Sequence, residues 1–396
     1  MKKLISILCA GAMLLSLAAC GSTSGGASAA DTNITADSVV SSDKTGSTNT
    51  GSTVTDADIA AQLADAVTLT FSDSGITADG SGGFETDGTA LTITDAGAYV
   101  LTGSFADGSV KVKKGVTGVT LVLSGLELTS ADTAPITCAK SSQVVLYAAA
   151  GTENRLADTA QNNDETYSEN ADAENAVIKC KDSSQVTLCG SGSLVIEANG
   201  KNGIKSGATT AEEGEASLTI RDITLTIAAP VNDAINAEQL LVIESGTLTI
   251  AAGDYAIHCD LLLNIGAEGT DGPAITITDC YEAIEAATLN ILSGDIDITS
   301  SDDCLNAANS DLSGYAFSMN ISGGTITAFS SGGDGFDSNG SLTISGGTVV
   351  VWTANTADNQ PLDADGTITI SGGTVLAAGG SSSMGMNLSA SQTCVT

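Results

Sequence analysis

Basic side chains run out part-way along this chain: no Lys or Arg follows Arg221, while residues 231–396 carry 20 Asp and Glu. A net charge of −34 over 396 residues repels phosphate backbones, so nucleic acid is excluded as a partner. Aromatics are scarce at 3%, and helical periodicity with caps is essentially missing, which leaves a narrow interior lined by Ile, Val, Leu and Ala. After the first twenty residues, no segment is long and apolar enough to span a bilayer. A polyanion could approach the acidic half only through bridging cations; neutral glycan or bound metal are the other partners it allows.

What is present begins with Met1-Lys2-Lys3, an apolar stretch from Leu4 to Ala19, and the sequence Leu17-Ala18-Ala19-Cys20. A basic start, a short apolar region and small residues at the cut form a secretory signal over 1–19. The cysteine after Leu-Ala-Ala resembles a bacterial lipobox, which implies Cys20 as the lipid-bearing first residue of the mature protein. Residues 20–64 are Ser, Thr, Gly, Ala and Asp with almost nothing to bury, and read as a disordered tether. Such a tether holds the folded part on the order of 35–40 Å from the membrane. The expected location is the extracellular face of the cell membrane, lipid-anchored, and a monomer is expected.

From residue 131 onwards a short signature recurs. It reads Asn232-Asp233-Ala234-Ile235, Asp254-Tyr255-Ala256-Ile257, Tyr281-Glu282-Ala283-Ile284, Asp302-Asp303-Cys304-Leu305, Gly333-Asp334-Gly335-Phe336 and Asn359-Gln360-Pro361-Leu362. The apolar anchors are separated by 22, 27, 21, 31 and 26 residues. A unit of that length cannot bury a core alone, so copies must stack. Within one copy, alternation puts Phe336, Ser338, Leu342, Ile344, Val349 and Val351 on one face, giving three short strands. A Ser-Gly-Gly-Thr corner recurs at 322–325, 345–348 and 371–374. The predicted fold is all-β: a right-handed single-stranded parallel β-helix of about nine or more coils over 131–396. Residues 65–130 supply N-terminal coils and a cap, and 152–175 read as an extruded loop. A β-sandwich is the other architecture compatible with many short strands. Cys138, Cys180 and Cys259 fall at repeat positions held elsewhere by Ser206, Ala237 and Ala286, a small buried ladder rather than disulfide partners.

Stacking piles acids on one another. The residues after the anchors, Asn236, His258, Glu285, Asn306, Asp337 and Asp363, form an outward row with about 4.8 Å between coils. The preceding turns add Asp233, Asp254, Glu282, Asp302, Asp303, Asp334 and Asp358. Two carboxylates about 5 Å apart repel by roughly 3 kcal/mol at an effective dielectric of about 20. Either their pKa values rise or cations bind, and oxygen-only ligands suit Ca²⁺. The favoured ligands are Asp303, Asp334, Asp337 and Asp363, followed by Asp302, Asn306 and Asp358. Gly335, lacking a side chain beside Asp337, is read as leaving room for the ion. The alternative is a solvated acidic face whose Asn and Asp satisfy turns.

Trp352 is expected to face outward as a sugar-stacking platform, with Tyr281 beside the acidic row as a second carbohydrate contact. A lyase needs a base, and Lys179, Lys181, Lys201, Lys205 and Arg221 all lie several coils before the densest acids. Paired acids such as Asp303 with Asp334 allow a hydrolase reading.

Several stretches together resemble a family of bacterial surface proteins: the calcium-binding, carbohydrate-binding parallel β-helix proteins that bind pectin and cellulose and look like polysaccharide lyases without an established lyase activity. They are Tyr99-Val100-Leu101-Thr102-Gly103, Gly151-Thr152-Glu153-Asn154, Tyr281-Glu282-Ala283-Ile284-Glu285, Ser301-Asp302-Asp303, Gly332-Gly333-Asp334-Gly335-Phe336-Asp337-Ser338-Asn339-Gly340, Pro361-Leu362-Asp363-Ala364-Asp365-Gly366 and Ala377-Ala378-Gly379-Gly380. The resemblance covers about 65–390 and implies a right-handed β-helix with Ca²⁺ at Asp303, Asp334, Asp337 and Asp363. It departs where Cys304, Ala283 and Ala234 stand in place of glycine. The expected function is binding of a plant-type polysaccharide (pectin, polygalacturonate or cellulose). A Ca²⁺-dependent lyase or hydrolase, and a structural surface protein or adhesin, are the alternatives.

Overall fold

A computed structural model describes residues 56–355, 359–380, 388–391 and 393. Runs such as Thr247-Leu248-Thr249-Ile250 alternate Thr with Leu or Ile, side chains that pack well on a pleated surface, and burial alternates along the strand Thr247–Ala252. Repetition of this pattern makes the described residues all-β, with one helix, Asp56–Leu63, and a large sheet that is mostly parallel.

Through most of the chain, a strand pairs with the equivalent strand of the next repeat. Ser193–Glu197 pairs in parallel with Thr224–Ala229, which pairs with Thr247–Ala252. Three ladders result, a pattern consistent with a solenoid. The first stacks Leu91, Val110, Ile136, Ile178, Ile204, Ile235, Ile257, Ile284, Leu305 and Phe336, and a single bridge adds Leu362. The second runs through Leu188, Ile220, Ile243, Ile265, Ile291, Ile321, Ile344 and Ile370. The third includes Leu156, Ile196, Ile227, Ile250 and Ile277. All of these side chains are buried, each contributing about 1.5–3 kcal/mol relative to exposure.

The inward set predicted for the Phe336 repeat is buried throughout, Ser338 included. Cys138, Cys180 and Cys259 stack in register with Ser206 and Ala237, and the six cysteines of the described residues are buried. At the corners, the second glycines Gly324, Gly347 and Gly373 have φ of 83, 79 and 77°, a region costly for L side chains. Two antiparallel pairs, Val67–Ser72 with Gly75–Ala78 and Phe84–Asp87 with Ala90–Ile93, break the parallel pattern near the start of the sheet.

Three sequence expectations change. Residues 56–63, assigned to the tether, form the helix, and its Ile59 is buried against Val122, Tyr147 and Cys189. The loop read over 152–175 opens as a strand, Glu153–Asp158, paired in parallel with Ser193–Glu197. Its pattern was hidden because an inward position holds Asn154, whose Oδ1 accepts the Leu126 N–H at 3.0 Å and whose Nδ2 donates to the Ser193 carbonyl at 3.0 Å. A fully bonded asparagine thus stands where an aliphatic side chain would have announced the strand.

The third concerns Gly335. A Cβ there would fall 2.4 Å from both the Pro361 carbonyl oxygen and Val351 Cγ2, so the missing side chain serves the core and not an ion. Ala234, Ala283 and Cys304 occupy the same buried position in their repeats, and small size is what it demands. Gly335→Ala is therefore expected to cost about 1–3 kcal/mol by overpacking, equally with and without Ca²⁺, in chemical denaturation. A loss seen only in Ca²⁺ would restore the ion-clearance reading.

Candidate cation and carbohydrate site

Parallel register turns one position of the first ladder into a continuous outward row. Lys205, Asn236, His258, Glu285, Asn306 and Asp337 are successive partners, and Asp363 follows the Leu362 bridge. The row leaves the core yet is only partly wet: Glu285 and Asn306 are 9% and 8% exposed, and His258, Asp337 and Asp363 are half-buried. Charges there interact more strongly than at an open surface.

Of the four favoured ligands, three converge. Asp334, Asp337 and Asp363 each offer a carboxylate oxygen, all within 4.8 Å of one another. Oxygens around one Ca²⁺ at about 2.3–2.6 Å lie no more than about 5 Å apart, so this set fits a single hard cation. Asp303 does not belong to this group of three. Its Oδ1 accepts the Asp334 N–H at 2.6 Å, as Asp334 Oδ1 accepts the Gln360 N–H at 2.5 Å and Asp233 Oδ1 the Tyr255 N–H at 3.3 Å. Each of these acids ties its turn to the equivalent turn of the next repeat. Gly333 makes the approach possible, because a Cβ there would fall 2.3 Å from Asp302 Oδ1 and 2.4 Å from Asp303 Oδ1. Asp302 is half-buried, one residue outside the row of tying acids. Asp358 and Cys20 lie outside the described residues.

Electrostatics mark the same place. Burial pushes Asp334 up to about 6, the Gln360 N–H opposing it and Asp337, Asp363 and Asp302 adding to it. Burial likewise pushes Asp303 up to about 7, against the Asp334 N–H and with help from Asp337, Asp302 and Asp334. Asp337 rises by burial and the charge of Asp363.

A second cluster escaped the favoured list. Glu282 is 6% exposed, and its Oε1 and the Oδ1 of Asn306 are buried with no hydrogen-bond partner. Asn306 Nδ2 donates to Glu285 Oε2 at 3.2 Å. Burial, then the Glu285 charge, drives the Glu282 carboxyl well above the ordinary range. Repeat position places these residues in the two rows, since Glu282 stands where Asp303 and Asp334 stand.

His258 stands among carboxylates. Its Nε2 lies 3.3 Å from Glu285 Oε1 and 3.4 Å from Asp260 Oδ1, its Nδ1 lies 3.9 Å from Asp233 Oδ2, and Tyr255 stacks on the ring at 4.8 Å. Burial pulls the imidazole down, but the nearby carboxylates of Asp233, Glu285 and Asp260 outweigh it, and its pKa rises to about 10. A fixed cation thus neutralises this part of the row.

Trp352 faces outward, 39% exposed, stacked on Phe329 at 5.6 Å. The two are register partners on the third ladder, on strands that precede the acidic turns. Tyr281 is 51% exposed, with Asp302 raising its hydroxyl pKa. It edges a shallow hollow of about 450 Å³ lined by Ala228, Ala251, Gly253, Asp279 and Ser301. Flat apolar faces beside acidic turns suit a sugar ring.

A family profile of carbohydrate-binding domain-containing proteins matches residues 87–383. The chain belongs to that family. A carbohydrate-binding domain-containing protein of Acetivibrio thermocellus is 31% identical over 137 residues, covering 34% of this chain and 46% of its own length. The match thus spans about half of that relative. A solved structure, a gadolinium derivative of a polysaccharide lyase-like protein from C. thermocellum, is 23% identical with a TM-score of 0.41, over 78% of this chain and 99% of its own.

The raised carboxyls and His258 have the same consequence for the metal-free protein. Between about pH 4 and 7 the folded state holds protons on Asp303 and Asp334 that the unfolded state releases, so stability falls as pH rises through that window. The contribution of His258 is complete below about 6.5 and is lost as pH rises towards about 10. Thermal melting in chelator is therefore expected to show greater stability at pH 5 than at pH 8. A flat or opposite profile would contradict the burial of these carboxyls.

Proposed function

We propose that this carbohydrate-binding domain family member is a lipid-anchored extracellular protein that binds polysaccharide, with Ca²⁺ held at its acidic turns. In this reading the sheet is a right-handed single-stranded parallel β-helix of about nine or more coils. The observation that carries it is the convergence of Asp334 and Asp337 of one repeat with Asp363 of the next, in a half of the chain that contains no Lys or Arg. Three half-buried carboxylates at that separation need a counter-ion, and oxygen-only donors select a hard divalent cation. The buried, unpartnered Glu282 Oε1 and Asn306 Oδ1 support a second cation position in the preceding repeats. Bound Ca²⁺ neutralises the carboxylates and offers its remaining coordination positions to sugar oxygens. Asp303 fixes the turn beside it, and Trp352, Phe329 and Tyr281 supply ring faces for a plant-type glycan such as pectin or cellulose. Cys20 carries the anchor, and the molecule works as a monomer.

Lyase chemistry is disfavoured by distance. Along the row, five repeat steps of about 4.8 Å separate Lys205 from Asp337, roughly 24 Å, so that lysine cannot serve as the base at the carboxylate cluster. The test joins metal to glycan. Ca²⁺ at a hundred times its Kd is expected to stabilise the protein by about 2.7 kcal/mol. Asp334→Asn with Asp337→Asn is expected to abolish that gain and the Ca²⁺-dependent part of retention on insoluble polysaccharide. A melting temperature indifferent to Ca²⁺ and chelator, or retention unchanged in the double variant, would sink the reading.

A further inference from the structure

The outward row has an opposite pole. Ahead of Asn236 it reads Lys111, Thr137, Lys179 and Lys205, all register partners. Most basic side chains of the described residues hold a carboxylate within 4 Å; for example, Lys181 pairs with Glu174 at 2.6 Å and Lys140 with Asp182 at 2.6 Å. Among the described residues, Lys111, Lys113 and Lys179 make no such pair. Lys111 and Lys113 are exposed to water, whereas Lys179 is half-buried. Burial, then the neighbouring Lys205 charge, pulls the Lys179 ammonium below its ordinary range. The nearby acids are already engaged, Glu174 with Lys181 and Glu238 with Lys205 at 3.5 Å.

Neutral or opposite residues separate like charges over much of this row. Thr137 lies between Lys111 and Lys179, Asn236 between Lys205 and His258, and Asn306 between Glu285 and Asp337. Like charges are left adjacent at Asp337–Asp363 and at Lys179–Lys205. Two ammoniums a repeat apart, one desolvated and without a carboxylate, are unfavourable until an external anion bridges them. The pair remains reachable, because the Lys205 side chain keeps 26% of its exposure. In a carbohydrate-binding protein whose net charge of −34 repels anions elsewhere, the anion that fits is one carried by the glycan itself.

We infer that Lys179 and Lys205 form a subsite for the carboxylate of an acidic sugar unit, independent of the cation at the far end of the row. This rests on the polysaccharide-binding reading. Each ammonium donates to a carboxylate oxygen, a charge-assisted bond that the methyl ester of the same sugar cannot match.

Titration calorimetry with the full chain in chelator tests it, using unesterified oligogalacturonate and its methyl-esterified counterpart. The native protein is expected to prefer the acid form, and Lys179→Met with Lys205→Met to weaken acid binding roughly tenfold, the scale of one bond to a charged group, with ester binding unchanged. Lys179→Arg is expected to retain the preference. Lys205→Gln alone, at the more exposed position and checked by its melting temperature, guards against a folding defect and is expected to lose part of it. Equal acid binding by native and double-variant proteins, or no acid preference in the native protein, overturns the subsite. Failure to bind either oligomer or any polysaccharide, even with Ca²⁺, would instead remove the polysaccharide reading and the subsite with it.

Discussion

Parallel register forces each side chain to stack on its counterpart one repeat away, about 4.8 Å distant. For the interior this is favourable. Ile204, Ile235, Ile257 and Ile284 pack in line because identical apolar groups suit one another's surroundings, and a chain with 3% aromatics can fill a narrow core without large rings. For the exterior the same rule is a burden. A polar position that recurs in sequence becomes a column in space, and a column of one charge repels itself.

The chain resolves that burden in three ways, along the outward row and the row of turns beside it. Neutral residues dilute it at Thr137, Asn236 and Asn306. A fixed cation neutralises it at His258, where three carboxylates converge on one imidazole. Backbone N–H groups absorb part of it at Asp233, Asp303 and Asp334, each of which spends an oxygen on the turn of the next repeat. These devices hold the fold together and explain why so many acids are compatible with it. They do not reach Glu282 Oε1 or Asn306 Oδ1, nor the approach of Asp334, Asp337 and Asp363. That residual is why the proposed cation is assigned there and not wherever acids are dense.

Much of this was legible because stacking converts repeat position into contact. The anchors from Ile235 to Leu362, the corner glycines and the inward cysteines could be aligned by eye, and their burial follows. What escaped were places where a residue's task is set by a neighbour that is distant in sequence. Asn154 is inward because its amide meets Leu126 and Ser193, which no local pattern reveals. Gly335 looked like clearance for an ion because it adjoins Asp337, but the space it leaves is filled by Val351 and Pro361. The division between Asp303, which ties a turn, and Asp363, which joins the carboxylate group, depends on which N–H each oxygen meets. Types and spacing of the acids do not carry that information.

The row also shows how one scaffold can present two chemistries to one polymer. Its frame is invariant, since Ile178, Ile204, Leu305 and Phe336 hold the backbone of every repeat in the same relation. The residue one position on is free to vary, and it changes from ammonium to imidazole to carboxylate without altering the fold. Charge therefore follows the order of repeats, and a ligand lying along the row would meet a sequence of environments instead of one averaged surface. Adjacent like charges mark two of them, Lys179 with Lys205 and Asp337 with Asp363. At most other steps the row is relieved by neutral residues or by His258. A column that is corrected at most steps and left uncorrected at two is better explained by something that binds there than by accident of composition.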